Sequence, residues 1–228
     1  MNSKLKYSIA VIIVIAFYAY AIIEKALGLV SYTVNTILIN NFLLICLVLG
    51  LIYFLNKYLL QNTLSVFVQR KENFIIYLII GLLLVSIIYV INSLGVVTYR
   101  NWIHSDYDNS VVENTLKEIL SNKIYAFFLL GPIVWLSEVF GVISRVFLLN
   151  NLWELQKSKL WCWISIIFIA LLFSLLQIDK GFPDMINSFL IVLASNIFYL
   201  KFRNVVPLII APILYTTIDL IAFWVYNF

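Results

Sequence analysis

The sequence predicts an all-α polytopic membrane protein, with about seven transmembrane helices in one bundle and a cytoplasmic amino terminus. Its 228 residues are 64% hydrophobic with a mean hydropathy of +1.03, whereas a soluble domain is only about half apolar. Charged residues make up 11% of the chain, against about 25% in soluble proteins. Apolar stretches close to the length that crosses a bilayer, about 20 residues, fill most of the chain. Residues 1–228 are therefore expected to form a single transmembrane domain.

The apolar stretches and the polar residues between them define the individual spans. The first follows the basic segment 1–6 and is expected to be an uncleaved helix rather than a signal peptide, because six further spans follow it. The fourth stays apolar toward Trp153 and is expected to protrude from the bilayer. The predicted spans are Tyr7–Leu29, Thr36–Leu60, Phe74–Val97, Ile124–Leu149, Leu160–Leu176, Met185–Tyr199 and Val205–Tyr226.

Loop charges predict the orientation, because cytoplasmic loops carry an excess of lysine and arginine. With the amino terminus inside, the inside segments hold only two acidic residues, Glu72 and Glu154, beside the basic residues Lys4, Lys6, Lys57, Arg70, Lys71, Lys157, Lys159, Lys201 and Arg203. The long connection 98–123 then lies outside, and the second half of this loop has helical apolar spacing. Richness in lysine, asparagine and isoleucine indicates an AT-rich bacterial genome, so the expected location is a bacterial plasma membrane.

The composition also indicates which classes of binding partner to expect. The net charge of +4 comes from basic residues next to spans, and no basic stripe or aromatic-basic module is present, so no nucleic-acid partner is expected. Cys46 and Cys162 fall inside apolar stretches, where a cysteine usually packs as a small apolar side chain. The lipid bilayer is the first expected partner, and the oligomeric state stays open.

Three ionisable residues are predicted to lie at membrane depth: Glu138, Arg145 and Asp219. A charge there is costly, so these residues are candidates for function. Glu138 and Arg145 are seven residues apart, which puts them on one helix face about 10 Å apart along the axis. They form either a buried polar patch that joins helices or a catalytic face. Asp219 shares a helical face with Thr216 and is a possible counter-charge for Arg145.

A metal site has little support in the sequence. His104 is the only histidine, whereas a catalytic zinc normally has three protein ligands, often including more than one histidine. His104, Asp106 and Asp108 lie close together in the outside loop and are weak candidates for a surface metal contact. A solvated loop histidine is the favoured interpretation, and no cofactor is expected.

From about residue 123 to residue 219 the chain resembles the CPBP family, the intramembrane proteases that include CAAX-processing enzymes and bacteriocin-immunity relatives. Gly131-Pro132-Ile133 matches the opening of the first family motif. Phe173 to Gln177 has the spacing of the second motif, in which a phenylalanine is followed four residues later by a histidine. The segment 202–211 is similar to the connector into the third motif, which carries a second histidine and, four residues on, an asparagine or aspartate.

The resemblance implies a catalytic site that this chain has lost. Glu138 is the only glutamate where the family has two adjacent ones, and Arg145 lies farther from it than in the family motif. Gln177 stands in place of the first family histidine, Pro212 in place of the second, and Thr216 in place of the asparagine. The prediction is a catalytically inactive relative that binds a membrane or cell-surface protein or peptide. Its remnant site would consist of Glu138, Arg145, Gln177 and Asp219.

Two alternatives stay open at this point. The first is an active intramembrane peptidase with an altered site that uses Glu138 with Asp219. The second is a transporter or channel subunit in which Glu138, Arg145 and Asp219 line a polar path. The spans lack matching glycine- or proline-broken helices in two halves of the chain, which are typical of many transporters.

Overall fold

A computed structural model describes residues 3–69, 73–95 and 110–227, and these residues form eight helices. Two of the helices, α2 and α5, contain wide π-type turns and are continuous across them. The helices are α1 Ser3–Ala26, α2 Thr36–Leu59, α3 Phe74–Leu94, α4 Ser110–Ser121, α5 Lys123–Leu155, α6 Lys159–Leu175, α7 Phe182–Phe202 and α8 Val206–Asn227. Short 3₁₀ turns occur at Leu64–Phe67 and Ile178–Lys180.

The all-α membrane class is confirmed, with each predicted span forming a helix. Six helices are long and apolar enough to cross a membrane. The remaining apolar helix, α6, has 17 residues, which is the short end of the spanning range of about 17–25. The predicted extension of the fourth span is also found, since α5 continues to Leu155. Its 33 residues make a helix about 50 Å long, well beyond the apolar thickness of a bilayer.

Part of the outside connection is also helical. The apolar spacing predicted a helix there, and α4 begins at Ser110 and ends at Ser121. The Thr115 hydroxyl donates a hydrogen bond to the Tyr32 carbonyl at 3.0 Å, which ties α4 to the segment between α1 and α2. The metal candidates His104, Asp106 and Asp108 lie outside the described residues.

At each end of the bundle, segments that connect the helices contact one another. At one end, the segment before α3 pairs with the segment between α7 and α8: the Gln69 amide donates to the Arg203 carbonyl at 3.0 Å and the Val205 amide to the Phe67 carbonyl at 3.1 Å. At the other end, Lys25 forms an ion pair with Asp179 at 3.3 Å. Following the predicted orientation, these ends are called the inner end and the outer end.

Helix α5 occupies the middle of the bundle and packs against α1, α2, α6 and α8. Its residues Val142, Val146 and Leu149 are almost fully buried. A π-type turn at Leu129–Ile133 contains Pro132, whose ring and missing N–H would disrupt a regular α-helical turn. The widened turn lets the chain continue as one helix, so the residues beyond it remain directed into the bundle.

Small and polar residues contribute to contacts between the helices that surround α5. A Cβ atom added at Gly81 of α3 would lie 2.9 Å from Ile210 Cγ2 of α8, so glycine permits this close approach. Between α6 and α7, the buried Asn196 side chain donates to the Ile166 carbonyl at 3.2 Å. Large apolar side chains are exposed along the outside of the described helices, as expected for a surface that faces lipid.

Candidate functional site

Arg145 lies at the centre of the bundle. Its side chain is 8% exposed, and its Nε donates to the Gly141 carbonyl at 3.1 Å. The guanidinium carbon lies 5.8 Å from the centroid of the Phe173 ring on α6. Because helical side chains lean toward the amino terminus, Arg145 extends along α5 toward Glu138, and the two charges interact electrostatically.

Glu138 faces α8. Its half-buried carboxyl group lies within hydrogen-bonding reach of the Thr216 hydroxyl. That hydroxyl donates to the Pro212 carbonyl at 2.7 Å, so it can also accept from a neighbour. One turn earlier on α5, Trp135 Nε1 donates to Thr217 at 3.2 Å. Polar contacts therefore join α5 to α8 at the depth where the sequence predicted a functional face.

Tyr18 of α1 joins the same cluster, although no motif distinguishes it among the 14 tyrosines of the sequence. Its ring is 2% exposed and lies between Phe140 and Phe173, with centroid distances of 6.2 and 4.8 Å. Its hydroxyl approaches Ser144 and Arg145. Neither the Tyr18 nor the Ser144 hydroxyl reaches good hydrogen-bond geometry with a described residue. Each such buried group costs about 1–3 kcal/mol.

These residues, Tyr18, Glu138, Ser144, Arg145 and Thr216, are called the polar centre below. They come from α1, α5 and α8, and the aromatic wall includes Phe173 of α6. Arg145 and Glu138 do not form a direct ion pair within 4 Å in the described chain. The polar centre therefore contains the Arg145 cation and the Glu138 carboxyl group, which interact electrostatically without direct contact. It also contains the Tyr18 and Ser144 hydroxyls, which can still form hydrogen bonds.

The two other predicted site residues lie elsewhere. Gln177 follows α6 at the outer end, where its backbone N–H donates to the Ser174 carbonyl at 2.9 Å. Asp219 is exposed on α8 and interacts electrostatically with Tyr215 and with Tyr89 of α3. The predicted pairing of Asp219 with Arg145 is wrong. Asp219 lies about 40° round the helix from Tyr215, whose ring contacts Tyr89 of α3, and about 60° in the other direction from Thr216, which faces α5.

The loop that carries Gln177 is attached to α1. Lys25 Nζ donates to the Leu176 carbonyl at 2.7 Å and pairs with Asp179. The Tyr32 hydroxyl also donates to Asp179. Lys180 lies beside this cluster, and its burial and the nearby Lys25 ammonium lower the pKa of Lys180 below that of a free lysine. The contacts hold the start of the α6–α7 connection in place.

The polar centre does not fit a catalytic zinc ion. Zinc takes thiolate, imidazole and carboxylate ligands, and a catalytic site uses three of them. The centre offers one carboxyl group next to an arginine, whose positive charge opposes a second cation. Over the described residues, no three histidine, cysteine, aspartate or glutamate side chains come together.

A comparison with protein families finds a match in the part of the chain that contains most of the polar centre. Residues 121–218 match the model of the family described as type II CAAX prenyl endopeptidase Rce1-like. This segment is therefore similar to that family. It covers α5, α6, α7 and most of α8, which is less than half of the chain, and it contains every residue of the polar centre except Tyr18. The resemblance predicted over residues 123–219 is confirmed. No curated protein and no solved structure matches the chain.

Proposed function

We propose that this CAAX-protease-like membrane protein is not a peptidase and acts by binding a membrane or cell-surface protein or peptide. The observation that carries the proposal is the surroundings of Glu138. Its neighbours are Thr216 and Arg145, and neither can act as a general base at neutral pH. A carboxylate that activates water for peptide hydrolysis works with a metal ion or with a second acid–base group that protonates the leaving amine, and the described neighbours of Glu138 include neither.

The positions that resemble the family histidines support the same conclusion. Gln177 has no imidazole, and it lies at the outer end rather than beside Glu138. Pro212 offers only its carbonyl, which accepts from Thr216. The altered-site peptidase built on Glu138 and Asp219 is also disfavoured, because Asp219 is exposed and interacts with Tyr89 and Tyr215.

The cost of the polar centre supports a retained binding role. An arginine and a carboxyl group inside a membrane protein are expensive, and two buried hydroxyls that find no partner in the described part of the chain add to that cost. A purely structural helix contact could be made more cheaply by apolar residues. The half-buried Glu138 and the free hydrogen-bonding capacity beside it suit recognition of a polar group, such as a peptide backbone, at membrane depth.

Purified full-length protein tests the loss of catalysis directly. Metal analysis is expected to give zinc far below one ion per chain, and reconstituted protein is expected to leave membrane peptides uncleaved. The matched control is Glu118→Gln, which removes an exposed carboxylate from α4. Stoichiometric zinc, or a cleavage activity that disappears in Glu138→Gln and persists in Glu118→Gln, would establish a peptidase and refute the proposal.

Crosslinking in native membranes tests the binding role. The same partner is expected to crosslink to the wild type and, less efficiently, to Glu138→Ala. A double variant, Asp106→Asn with Asp108→Asn, tests whether the outside loop contributes to the contact. If no specific protein or peptide crosslinks to the wild type above the level of an unrelated membrane protein, the binding proposal is wrong. Ion flux through reconstituted vesicles would then support the transport alternative.

A further inference from the structure

The inner end contains two adjoining cavities that are separate from the polar centre. The larger, about 450 Å³, lies where α5 ends, α6 begins and α7 ends. The smaller, about 300 Å³, lies under the segment that precedes α3. Trp153, Glu154 and Arg203 line both cavities. The larger one is within the size range of small-molecule sites, about 300–1,000 Å³, and is called the basic cavity.

We propose that the basic cavity binds the phosphate-bearing headgroup of an anionic phospholipid from the inner leaflet. Lys157, Lys159 and Arg203 line it against a single carboxylate, Glu154. In the described chain the ion pairs are Lys25–Asp179 and Lys157–Glu154, so no carboxylate within 4 Å neutralises Lys159 or Arg203. Basic pockets between membrane helices on the cytoplasmic side are suited to anionic headgroups.

Arg203 is held in position before any ligand arrives. Its backbone is left-handed, with φ of 51°, a conformation that is unfavourable for a residue with a Cβ atom. Its amide donates to the Tyr199 carbonyl at 2.8 Å, and its carbonyl accepts from Gln69. The guanidinium carbon lies 4.2 Å from the Trp153 ring centroid. Arg203 is the left-handed C-cap residue that ends α7, a common way for a helix to stop, and these contacts fix its backbone and its guanidinium.

The stack beneath Arg203 fixes the cavity wall. Trp153 is 8% exposed and lies nearly parallel to the Tyr199 ring, with a centroid distance of 5.9 Å. Tyr199 in turn donates to Asn150 at 3.0 Å. The buried Trp153 indole N–H has no hydrogen-bond partner among the described residues. The wall is therefore rigid and still has an unused donor.

The apolar side of the cavity favours a lipid over a soluble anion. Trp163 and Leu200 line the cavity, and Leu160 is exposed one turn from Trp163. Tryptophan is enriched at the level of lipid headgroups. A phospholipid whose phosphate lies between Lys157, Lys159 and Arg203 would place its acyl chains along the exposed face of α6. A soluble phosphate ion would make no contact with that apolar wall.

Native mass spectrometry of the full-length protein in detergent can test this site, by titrating phosphatidylglycerol in parallel with zwitterionic phosphatidylcholine. Phosphatidylglycerol is expected to bind more tightly. Each basic residue near a membrane surface contributes roughly fivefold to such binding. The variant Lys157→Gln/Lys159→Gln, which changes exposed side chains and leaves the Arg203 stack intact, is therefore expected to weaken phosphatidylglycerol binding about 25-fold.

Two further variants sharpen the result. Arg203→Gln is expected to weaken binding at least fivefold, and Glu154→Gln is expected to strengthen it, because it removes the carboxylate that lines the cavity among the described residues. The matched control is Lys201→Gln, which removes an exposed charge at the same end that does not line the cavity, and it is expected to change binding less than twofold.

Three results would overturn the assignment. Equal affinity for the two lipids would remove the preference for an anionic headgroup. An equal loss in Lys201→Gln would show a general surface attraction instead of a site. Complete displacement of phosphatidylglycerol by millimolar inorganic phosphate would indicate a soluble anion as the ligand. None of these outcomes depends on Glu138, so they are distinguishable from a failure of the proposed function.

Discussion

The polar centre and the inner end both bury polar side chains, but they satisfy them differently. At the inner end, Asn150 donates to the Val66 carbonyl at 3.2 Å and accepts from Tyr199 at 3.0 Å, although the Trp153 indole N–H nearby has no partner among the described residues. In the polar centre, over the residues that the structure describes, Arg145 has a hydrogen bond within its own helix, and the Tyr18 and Ser144 hydroxyls have no partner of good geometry. A buried network in which every polar group has a hydrogen-bond partner makes a structure rigid, whereas buried polar groups without partners lower its stability.

This difference indicates distinct roles for the two regions. The inner network joins α5 and α7 to the segment before α3, so its hydrogen bonds connect parts of the chain that are far apart in sequence. The polar centre lowers the stability of the fold but forms few hydrogen bonds between different helices. Its residues are the stronger candidates for function, because groups that destabilise a fold are kept where activity or binding requires them.

The largest effect is expected from removing the central cation. Arg145→Met keeps a long apolar stem but leaves Glu138 without its opposite charge, and it is expected to lower the free energy of unfolding by about 3 kcal/mol. Adding Glu138→Gln is expected to restore most of this loss, since both charges are then absent. Denaturant unfolding in detergent measures both. A gain in stability from Arg145→Met alone would mean that the cation has no stabilising role.

Breaking the inner network is expected to have the next largest effect. Asn150→Ala removes two hydrogen bonds and leaves the Val66 carbonyl and the Tyr199 hydroxyl without this partner, for a loss of about 2 kcal/mol. The matched control is Asn151→Ala, because in the part of the chain that the structure describes Asn151 donates within its own helix, to the Phe147 carbonyl. Asn151→Ala is expected to lower the free energy of unfolding by about half as much. Equal losses would show that the links between segments do not matter.

A pair of tyrosine substitutions compares the two regions directly. Tyr199→Phe removes a hydroxyl that donates to Asn150 and is expected to cost about 1 kcal/mol. Tyr18→Phe removes a buried hydroxyl without a partner and is expected to be neutral or to stabilise by up to about 1 kcal/mol. Unfolding measurements under identical conditions give both values. If Tyr18→Phe costs as much as Tyr199→Phe, the Tyr18 hydroxyl has a partner in solution.

The smallest effect concerns pH at the outer end. Burial and the Lys25 ammonium lower the pKa of Lys180, so the folded protein loses this proton at a lower pH than the unfolded chain does. The contribution of Lys180 to stability therefore rises with pH from its lowered pKa to that of a free lysine, about 10.4. Lys180→Met is expected to remove this rise.

Thermal midpoints in detergent between pH 8 and pH 11 measure the effect of Lys180 as the difference between wild type and variant. The exposed Lys123, also at the outer end, provides the control Lys123→Met, which is expected to run parallel to the wild type. A constant difference between wild type and Lys180→Met across this range would contradict the prediction.

Much of the fold was predictable because membrane helices obey a strong local constraint. Each span must satisfy its own backbone hydrogen bonds in lipid, so the apolar runs alone predict the helices, as with α2 and α3. The continuation of α5 toward Trp153 and the helix α4 also follow from local pattern. Helix ends were less accurate: α7 extends three residues beyond each predicted end, at Phe182 and Phe202, because aromatic residues near an interface do not mark where a helix stops.

The sequence by itself determined that this is a helical membrane protein, that its later half is CAAX-protease-like, and that Glu138 and Arg145 share one face of a helix. Periodicity and hydropathy carry that information because they act within one helix at a time. Only the tertiary structure decided that Tyr18 joins them, that Asp219 turns toward α3, and that Arg203 meets Trp153 across a cavity. Those contacts depend on how helices rotate against one another, and packing between distant segments sets that rotation.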